Sequence, residues 1–490
     1  MTPATLGEIG QIENFIGGAS HTTSGGTTRE IRNPANGEVV AEVQDGSAAD
    51  VDAAVRGAHE AFPAWWRTSA ANRGKILMQA AEKVVAHVEE LAPLLTAEQG
   101  KPMAESRMEV HRFAHTLEHY AGLAKNLRGG YVPDLDDKPH RHGLILKRPL
   151  GVCGAIIPWN FPLSLLGNKL GPALVTGNTM VVKPAETTPL TSTRVIQLLH
   201  DAGVPANVVN TVLGTGEIVG DALTKHPLVA KIGFTGATET GRLVMANAAQ
   251  TIKRVTLELG GSDPMIICSD ADINRAVSAA SVGRFFNCGQ ACLAIKRILL
   301  FEDIAEEFEE KLVAKVEKLR VGPGWEAGVR LGPLHSEEQR AAVERQVQDT
   351  VAKGGELRVG GGRPEGDEFA NGYFHRPTVV TNAPWDSAMA TEEVFGPALP
   401  TFRVKDLDEA IARANGTPYG LGSSIWTKDL DRATQAAEQI EAGYTWINGT
   451  TKIYDELPFG GFKQSGLGHE HGNEALDCYQ YTKSVVVAAG

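Results

Sequence analysis

From residue 48 to about 128, apolar residues recur every three or four positions. Ala53, Val55, Ala58 and Phe62 form one stripe, and Ile76, Ala80, Val84 and Val88 another. That spacing predicts amphipathic helices, each packed by one face. Residues 1–45 read as a polar lead with short strands, broken by Asn33-Pro34 and Asn36-Gly37 turns. From Gly151 the pattern switches to short β-branched runs separated by helical stretches. It predicts strands over 152–157, 179–183, 208–213, 231–234, 255–259 and 265–268. The helices predicted between them lie near 190–200, 217–224 and 239–248. Repeated strand–helix alternation implies a parallel, doubly wound α/β sheet. Ligands of such sheets sit beyond the carboxyl ends of the strands.

The second half, roughly 270–462, repeats the alternation, with a strand over 297–301 and helices over 302–318 and 337–353. Residues 354–362 are glycine-rich but lack the Lys-Ser/Thr of a phosphate-binding loop, and read as a hairpin connection. Two runs stand apart from both sheets. Residues 143–149 read as an exposed two-stranded flap. The apolar run 484–489 reads as a terminal strand with no obvious partner in sequence.

At 490 residues the chain has room for two or three domains. Its hydrophobic fraction of 42% and charged fraction of 22% are those of a soluble globular protein. A net charge of −12 disfavours nucleic-acid and anionic-membrane partners. Cys153, Cys268, Cys288, Cys292 and Cys478 form an odd, sparse set, which argues against a disulfide scaffold or structural zinc. A reducing, cytoplasmic setting fits better. The first fifteen residues have no basic start followed by an apolar core, so no signal peptide is expected. Nor is a membrane span, since no run of about 18 apolar residues occurs.

Candidate chemistry clusters at strand ends. Pro158-Trp159-Asn160-Phe161-Pro162 follows a strand, and two prolines fix the backbone around one amide. It reads either as a rigid turn or as a preset donor for an oxyanion. Lys183-Pro184-Ala185-Glu186 reads as solvated surface or as a ribose-binding pair whose carboxylate repels a 2′-phosphate. Gly214-Thr215-Gly216-Glu217-Ile218-Val219-Gly220 is one residue longer than the dinucleotide fingerprint. In Leu257-Glu258-Leu259-Gly260-Gly261 the carboxylate is either an edge residue facing water or a desolvated general base. Cys292, between Ala291 and Leu293 and near Gly289, could be a nucleophile, but taken alone it reads first as an inert core thiol, since free Cys is among the most buried residue types.

Seven motifs remove these ambiguities together. PWNFP at 158–162, KPAE at 183–186, FTGATETGR at 234–242, LELGG at 257–261, GQAC at 289–292, EEVFGP at 392–397 and PFGGFKQSG at 458–466 occur in one order. In that order the chain resembles the NAD(P)-dependent aldehyde dehydrogenase superfamily over nearly its whole length. The resemblance implies an aldehyde dehydrogenase-like α/β fold. A Rossmann-type NAD-binding domain would comprise residues 1–128 and 150–258, and an α/β catalytic domain residues 259–463. Residues 129–149 and 475–490 would be a β-flap and C-terminal strand that build a homodimer or homotetramer.

It further implies that Cys292 adds to the aldehyde, that Asn160 and the Cys292 N–H hold the oxyanion, and that Glu258 activates the hydrolytic water. NAD, with NADP as the alternative, would contact Ile156, Pro158, Trp159, Lys183, Ala185, Glu186, Gly216, Gly220, Phe234, Gly236, Ala237, Thr240, Leu259, Glu393 and Phe395. Substrate walls would be Phe161, Leu165, Asn168, Phe286, Ala291, Leu293, Ile453 and Phe459. They favour an uncharged aliphatic or aromatic aldehyde, since semialdehyde members usually carry Arg where Asn168 stands. No metal is implied. A CoA-acylating relative is the competing class, and Glu258 argues against it. Cys288 departs from the family, where Gln is common. It lies four residues from Cys292, and on a helix the two would share a face and link on oxidation.

Overall fold

The computed structural model describes residues 10–23, 26–137 and 141–488. Most of the polar lead (1–9), part of the flap (138–140) and the last two residues lie outside the described residues.

Two separate sheets carry the molecule. The first has eight strands in the order Ala19–His21, Asn14–Ile16, Val209–Thr211, Thr179–Lys183, Val152–Ile156, Val229–Thr235, Arg254–Glu258, Gly466–Leu467. Its five central strands are parallel. The order runs outward in one direction from Val152–Ile156 and in the other from Val229–Thr235. That reversal opens a crevice at the carboxyl ends of these two strands. Apolar clusters cover both faces: Leu77, Phe113, Leu117 and Leu170 on one, Val51, Val55, Val181 and Ile232 on the other.

The second sheet orders Glu356–Val359, Thr378–Thr381, Ala398–Val404, Ile295–Phe301, Asp263–Ile267, Gly422–Trp426 and Tyr444–Ile447. It is parallel except for its first strand. Residues 354–362 therefore contain a strand where the glycines predict only a connection. The strand is four residues at a sheet edge, too short for an apolar alternation to show between its flanking glycines.

The flap is three-stranded, not two-stranded. Gln480–Ala488 pairs antiparallel with Arg141–Pro149, which also pairs with Gly130–Val132. The C-terminal strand thus finds its partner within the same chain, more than 300 residues away, where local patterning has no reach. The helix predicted near 217–224 is a π-type turn over Gly216–Gly220 running into Asp221–Lys225. Among the described residues no helix is long and apolar enough to cross a membrane.

One helix pair positions the site. Met103–Leu123 lies against Pro162–Thr176, where Gly167 faces Phe113 and Gly171 faces Tyr120. A Cβ at Gly171 would fall 2.3 Å from the Tyr120 ring. Pro162 opens the second helix at a position where the missing N–H costs nothing. Its next two free N–H groups, of Leu163 and Ser164, donate to the Glu109 carboxylate at 2.9 and 3.2 Å. A buried anion at a helix N-terminus satisfies both the orphan donors and the dipole.

Candidate active site

The helix Ile273–Phe285 stops short of Cys292. Residues 286–289 form a tight turn in which Asn287, Cys288 and Gly289 are all left-handed, with φ of 49°, 56° and 72°. Cys288 and Cys292 therefore do not share a helix face. Cys288 is buried in the core of the second sheet, and its thiol is pushed upward by burial. The turn is held from several sides. The Asn287 N–H donates to Glu105 (2.9 Å), and its side-chain amide to the Asn160 carbonyl (2.9 Å). Arg284, fully buried, donates to the carbonyls of Ile295 (3.1 Å), Val394 (2.8 Å) and Gly396. Gly289 packs on the same Gly396 carbonyl, where a Cβ would come within 2.3 Å. Arg284 and Gly289 thus bind the cysteine loop to the loop carrying Glu393 and Phe395.

Cys292 is partly covered. Burial pushes its thiol to about 12, Lys296 pulls it back, and Glu258 pushes it further up. Left alone it is a neutral thiol at pH 7. Leu293, Trp446 and Ile453 flank it around a buried Leu421, Tyr444 and Phe459. Phe161 and Phe286 stack at 5.8 Å. Leu165 is half-buried, Ala291 buried. The amide of Asn168 is taken by Glu470 at 2.8 Å. Asp455 anchors the loop that bears Ile453 and Phe459, accepting from His115 (2.7 Å) and His471 (2.8 Å) and pairing with Arg112. Burial opposes its ionisation, but His471, Arg112 and His119 hold its carboxyl down at about 2.

Asn160 is buried, and its side-chain amide donates to the Gln290 carbonyl at 3.0 Å. Its own carbonyl accepts from Lys101 Nζ at 2.8 Å, and Lys101 pairs with Glu109 in complete burial. The turn with the amide and the loop with the thiol are thereby joined directly.

Glu258 ends its strand with both carboxylate oxygens buried and unpartnered. Burial, then the neighbouring Glu470 carboxylate, raise its pKa well above the ordinary value, against the pull of Lys169. Glu470 stays ionised because Lys169 donates to it at 2.7 Å. Three residues beyond Glu258, a Cβ on Gly261 would lie 2.9 Å from the Cys292 carbonyl oxygen. The two chain segments thus meet at Gly261, and the Glu258 carboxylate is near enough to raise the pKa of the Cys292 thiol.

At the carboxyl end of the Thr179–Lys183 strand, Lys183 Nζ lies 3.7 Å from Glu186. The Gly216 N–H donates to the same carboxylate at 2.6 Å. Burial lowers the pKa of Lys183 and Glu186 raises it. A Cβ on exposed Gly216 would touch Glu186 at 3.7 Å and one on buried Gly220 would touch the Lys183 side chain at 3.9 Å, both without a clash. Ile156, Pro158, Ala185, Phe234, Gly236 and Ala237 lie on the strand ends or the turns just after them, and Thr240 in the first turn of the helix Thr238–Ala249. Gly236 covers the Phe234 ring, and Leu259 lies against Gly241. Trp159 stacks on His335 at 4.4 Å and meets Phe395 edge-on at 5.6 Å. The Gly261 N–H donates to Glu393 at 3.1 Å.

Sequence reasoning missed Lys101, Glu105, Glu109, Lys169, Lys296 and Glu470. All but the half-buried Glu105 are fully buried charged residues, and each has at least one partner distant in sequence. The one available signal was a Lys inside an apolar helix at 169 and another inside an apolar strand at 296.

The aldehyde dehydrogenase family model matches residues 21–485. Phenylacetaldehyde dehydrogenase of Pseudomonas fluorescens is 40% identical over 97% of this chain and 95% of its own. Glutarate-semialdehyde dehydrogenase of Pseudomonas putida is 39% identical over 97% of both. The crystal structure of betaine aldehyde dehydrogenase from Staphylococcus aureus in complex with NAD+ superposes with a TM-score of 0.94 at 37% identity, covering 97% of this chain and 95% of that one. The motifs, the two sheets and the relatives all span the same length, and the chain belongs to the aldehyde dehydrogenase family.

Proposed function

We propose that this chain oxidises an aldehyde to its carboxylic acid with NAD, through an acyl group carried on Cys292. Residues 1–128 and 150–258 form the cofactor domain and 259–463 the catalytic domain. The glycines at 216 and 220, beside Lys183 and Glu186, fit a dinucleotide whose adenosine ribose meets the carboxylate. Glu393 and Phe395 take the nicotinamide side, by Trp159. Bound NAD supplies the hydride acceptor. Glu186 repels a 2′-phosphate, which favours NAD over NADP.

The Cys292 thiol gives its proton to the Glu258 carboxylate and its sulfur adds to the carbonyl carbon, forming a C–S bond and an oxyanion, and Glu258 then passes the proton to solvent. An amide nitrogen carries two hydrogens. The Gln290 carbonyl takes one from Asn160, and the other, with the Cys292 N–H, meets the oxyanion. Loss of hydride from that carbon leaves a thioester. Glu258 removes a proton from the water that attacks it, and the C–S bond breaks. Splitting one difficult step into two is the gain of covalent catalysis.

The observation that carries this reading is Glu258. A carboxyl with no hydrogen-bond partner, its pKa raised by burial, and near enough to Cys292 to push that thiol's pKa up, is built for proton transfer. Cys292→Ala is expected to abolish NADH formation while NAD still quenches protein fluorescence; retained turnover overturns the assignment. The aromatic walls favour uncharged aliphatic or aromatic aldehydes. Higher kcat/KM for a carboxylated semialdehyde would overturn that part alone.

The flap and C-terminal strand, with Tyr131, Val132, Tyr481 and Val486 exposed, support a homodimer or homotetramer. A monomer in analytical ultracentrifugation would refute it. Five free cysteines support a reducing, cytoplasmic setting, which fractionation of the source cells would check.

A further inference from the structure

Lys296 opens the strand Ile295–Phe301 and has no exposed surface. A buried ammonium must place all three of its hydrogens. Here they meet the Ala291 carbonyl at 3.0 Å, the Cys292 carbonyl, and Glu393 Oε1 at 3.2 Å. The Glu393 carboxylate also takes the Gly261 N–H. One cation therefore ties together the nucleophile loop, the backbone just beyond Glu258, and the carboxylate on the nicotinamide side.

The Ala291 carbonyl has a particular place in this set. It belongs to the same peptide group as the Cys292 N–H. In a planar trans peptide the two point in opposite directions. A cation fixed on the oxygen draws electron density from the group and strengthens the N–H as a donor. It also fixes the plane in which that N–H lies, from the side away from the substrate.

The structure assigns Lys296 as a positioning residue that locks and polarises the Ala291–Cys292 peptide, so that the Cys292 N–H is a preorganised oxyanion donor. This rests on Cys292 being the nucleophile. The ammonium touches no reacting atom, and acts through the peptide it holds. A donor set before the reaction costs no reorganisation when charge develops. A neutral residue here would leave two carbonyls facing a half-buried carboxylate, and the peptide free to rock.

The test is stopped-flow NADH formation with Lys296→Met and Lys296→Gln. Glutamine keeps a hydrogen bond to the carbonyls but drops the charge, and guards against a Met variant that fails to fold. The acylation rate is expected to fall about 10²-fold in Lys296→Met, the scale of one lost oxyanion donor, and by less in Lys296→Gln. Aldehyde KM should stay within about threefold, because the donor acts on the oxyanion rather than the bound aldehyde. The pH midpoint for alkylation of Cys292 by iodoacetamide should move upward in both. A folded Lys296→Gln with wild-type acylation rate and alkylation profile overturns the inference, as does a loss confined to KM. Turnover surviving in Cys292→Ala would instead overturn the nucleophile reading, so the two failures are distinguishable.

Discussion

The cofactor cradle and the nucleophile loop lie at neighbouring strand ends and are built on opposite plans. Around Lys183, Glu186, Gly216 and Gly220 the packing is loose, Glu186 is 41% exposed, and a Cβ on either glycine would make only ordinary contacts with side chains. Around residues 286–292 the backbone is crowded, left-handed at three successive positions, and pinned by Glu105, Arg284 and Lys296. The cradle is shaped to be completed by a ligand. The nucleophile loop is complete already, because a thiol and an oxyanion donor must be in register before a carbonyl arrives.

Gly289→Ala breaks the contrast hardest if it is false. A left-handed residue costs ~1–2 kcal/mol once it has a Cβ, and forcing that Cβ against Gly396 adds about 1–3 kcal/mol. A drop in Tm with loss of activity is expected in a thermal melt; a wild-type Tm would show that the loop is not pinned there.

Glu258→Gln sharpens it on the pH axis. The folded pKa of Glu258 is raised, so the native state holds its proton where the unfolded chain, near ~4.3, has lost it. The native state's advantage is therefore full below that pH and falls as pH rises toward the folded value. Glutamine has no such loss. Its Tm should match wild type at pH 4 and exceed it at pH 8, while turnover falls by roughly 10²–10⁴-fold. Equal Tm at both pH values would mean that Glu258 is solvated.

Gly220→Ala should do least to the fold. The added methyl meets nothing within 3.9 Å, so stability should stay within about 0.5 kcal/mol. The NAD KM should rise several-fold, read from initial rates at saturating aldehyde. A folding defect with normal KM would reverse the contrast.

Much of this was legible in the chain. The central strands of the first sheet announce themselves by β-branched runs such as Thr179–Lys183, because they are buried on both faces. Glycines and prolines marked the turns beyond them, and the motifs at 158–162, 183–186 and 257–261 fall just where strand ends converge. What failed shares one feature. The partner of Gln480–Ala488, the edge strand Glu356–Val359 and the buried ions at 169, 296 and 470 depend on residues distant in sequence, and the local pair at 101 and 109 is fixed in place only by the distant backbone at 160–164.

The sequence by itself determined which chemical groups this protein carries, which runs become strands and helices, and the order of its motifs. These follow from side-chain periodicity and backbone preference, which act over a few residues. Only the tertiary structure decided the environments: a neutral-leaning Glu258, an ionised Glu470 and a lysine behind the Cys292 peptide. Desolvation and Coulomb interaction depend on distance in space, and that distance exists only after the two sheets have packed.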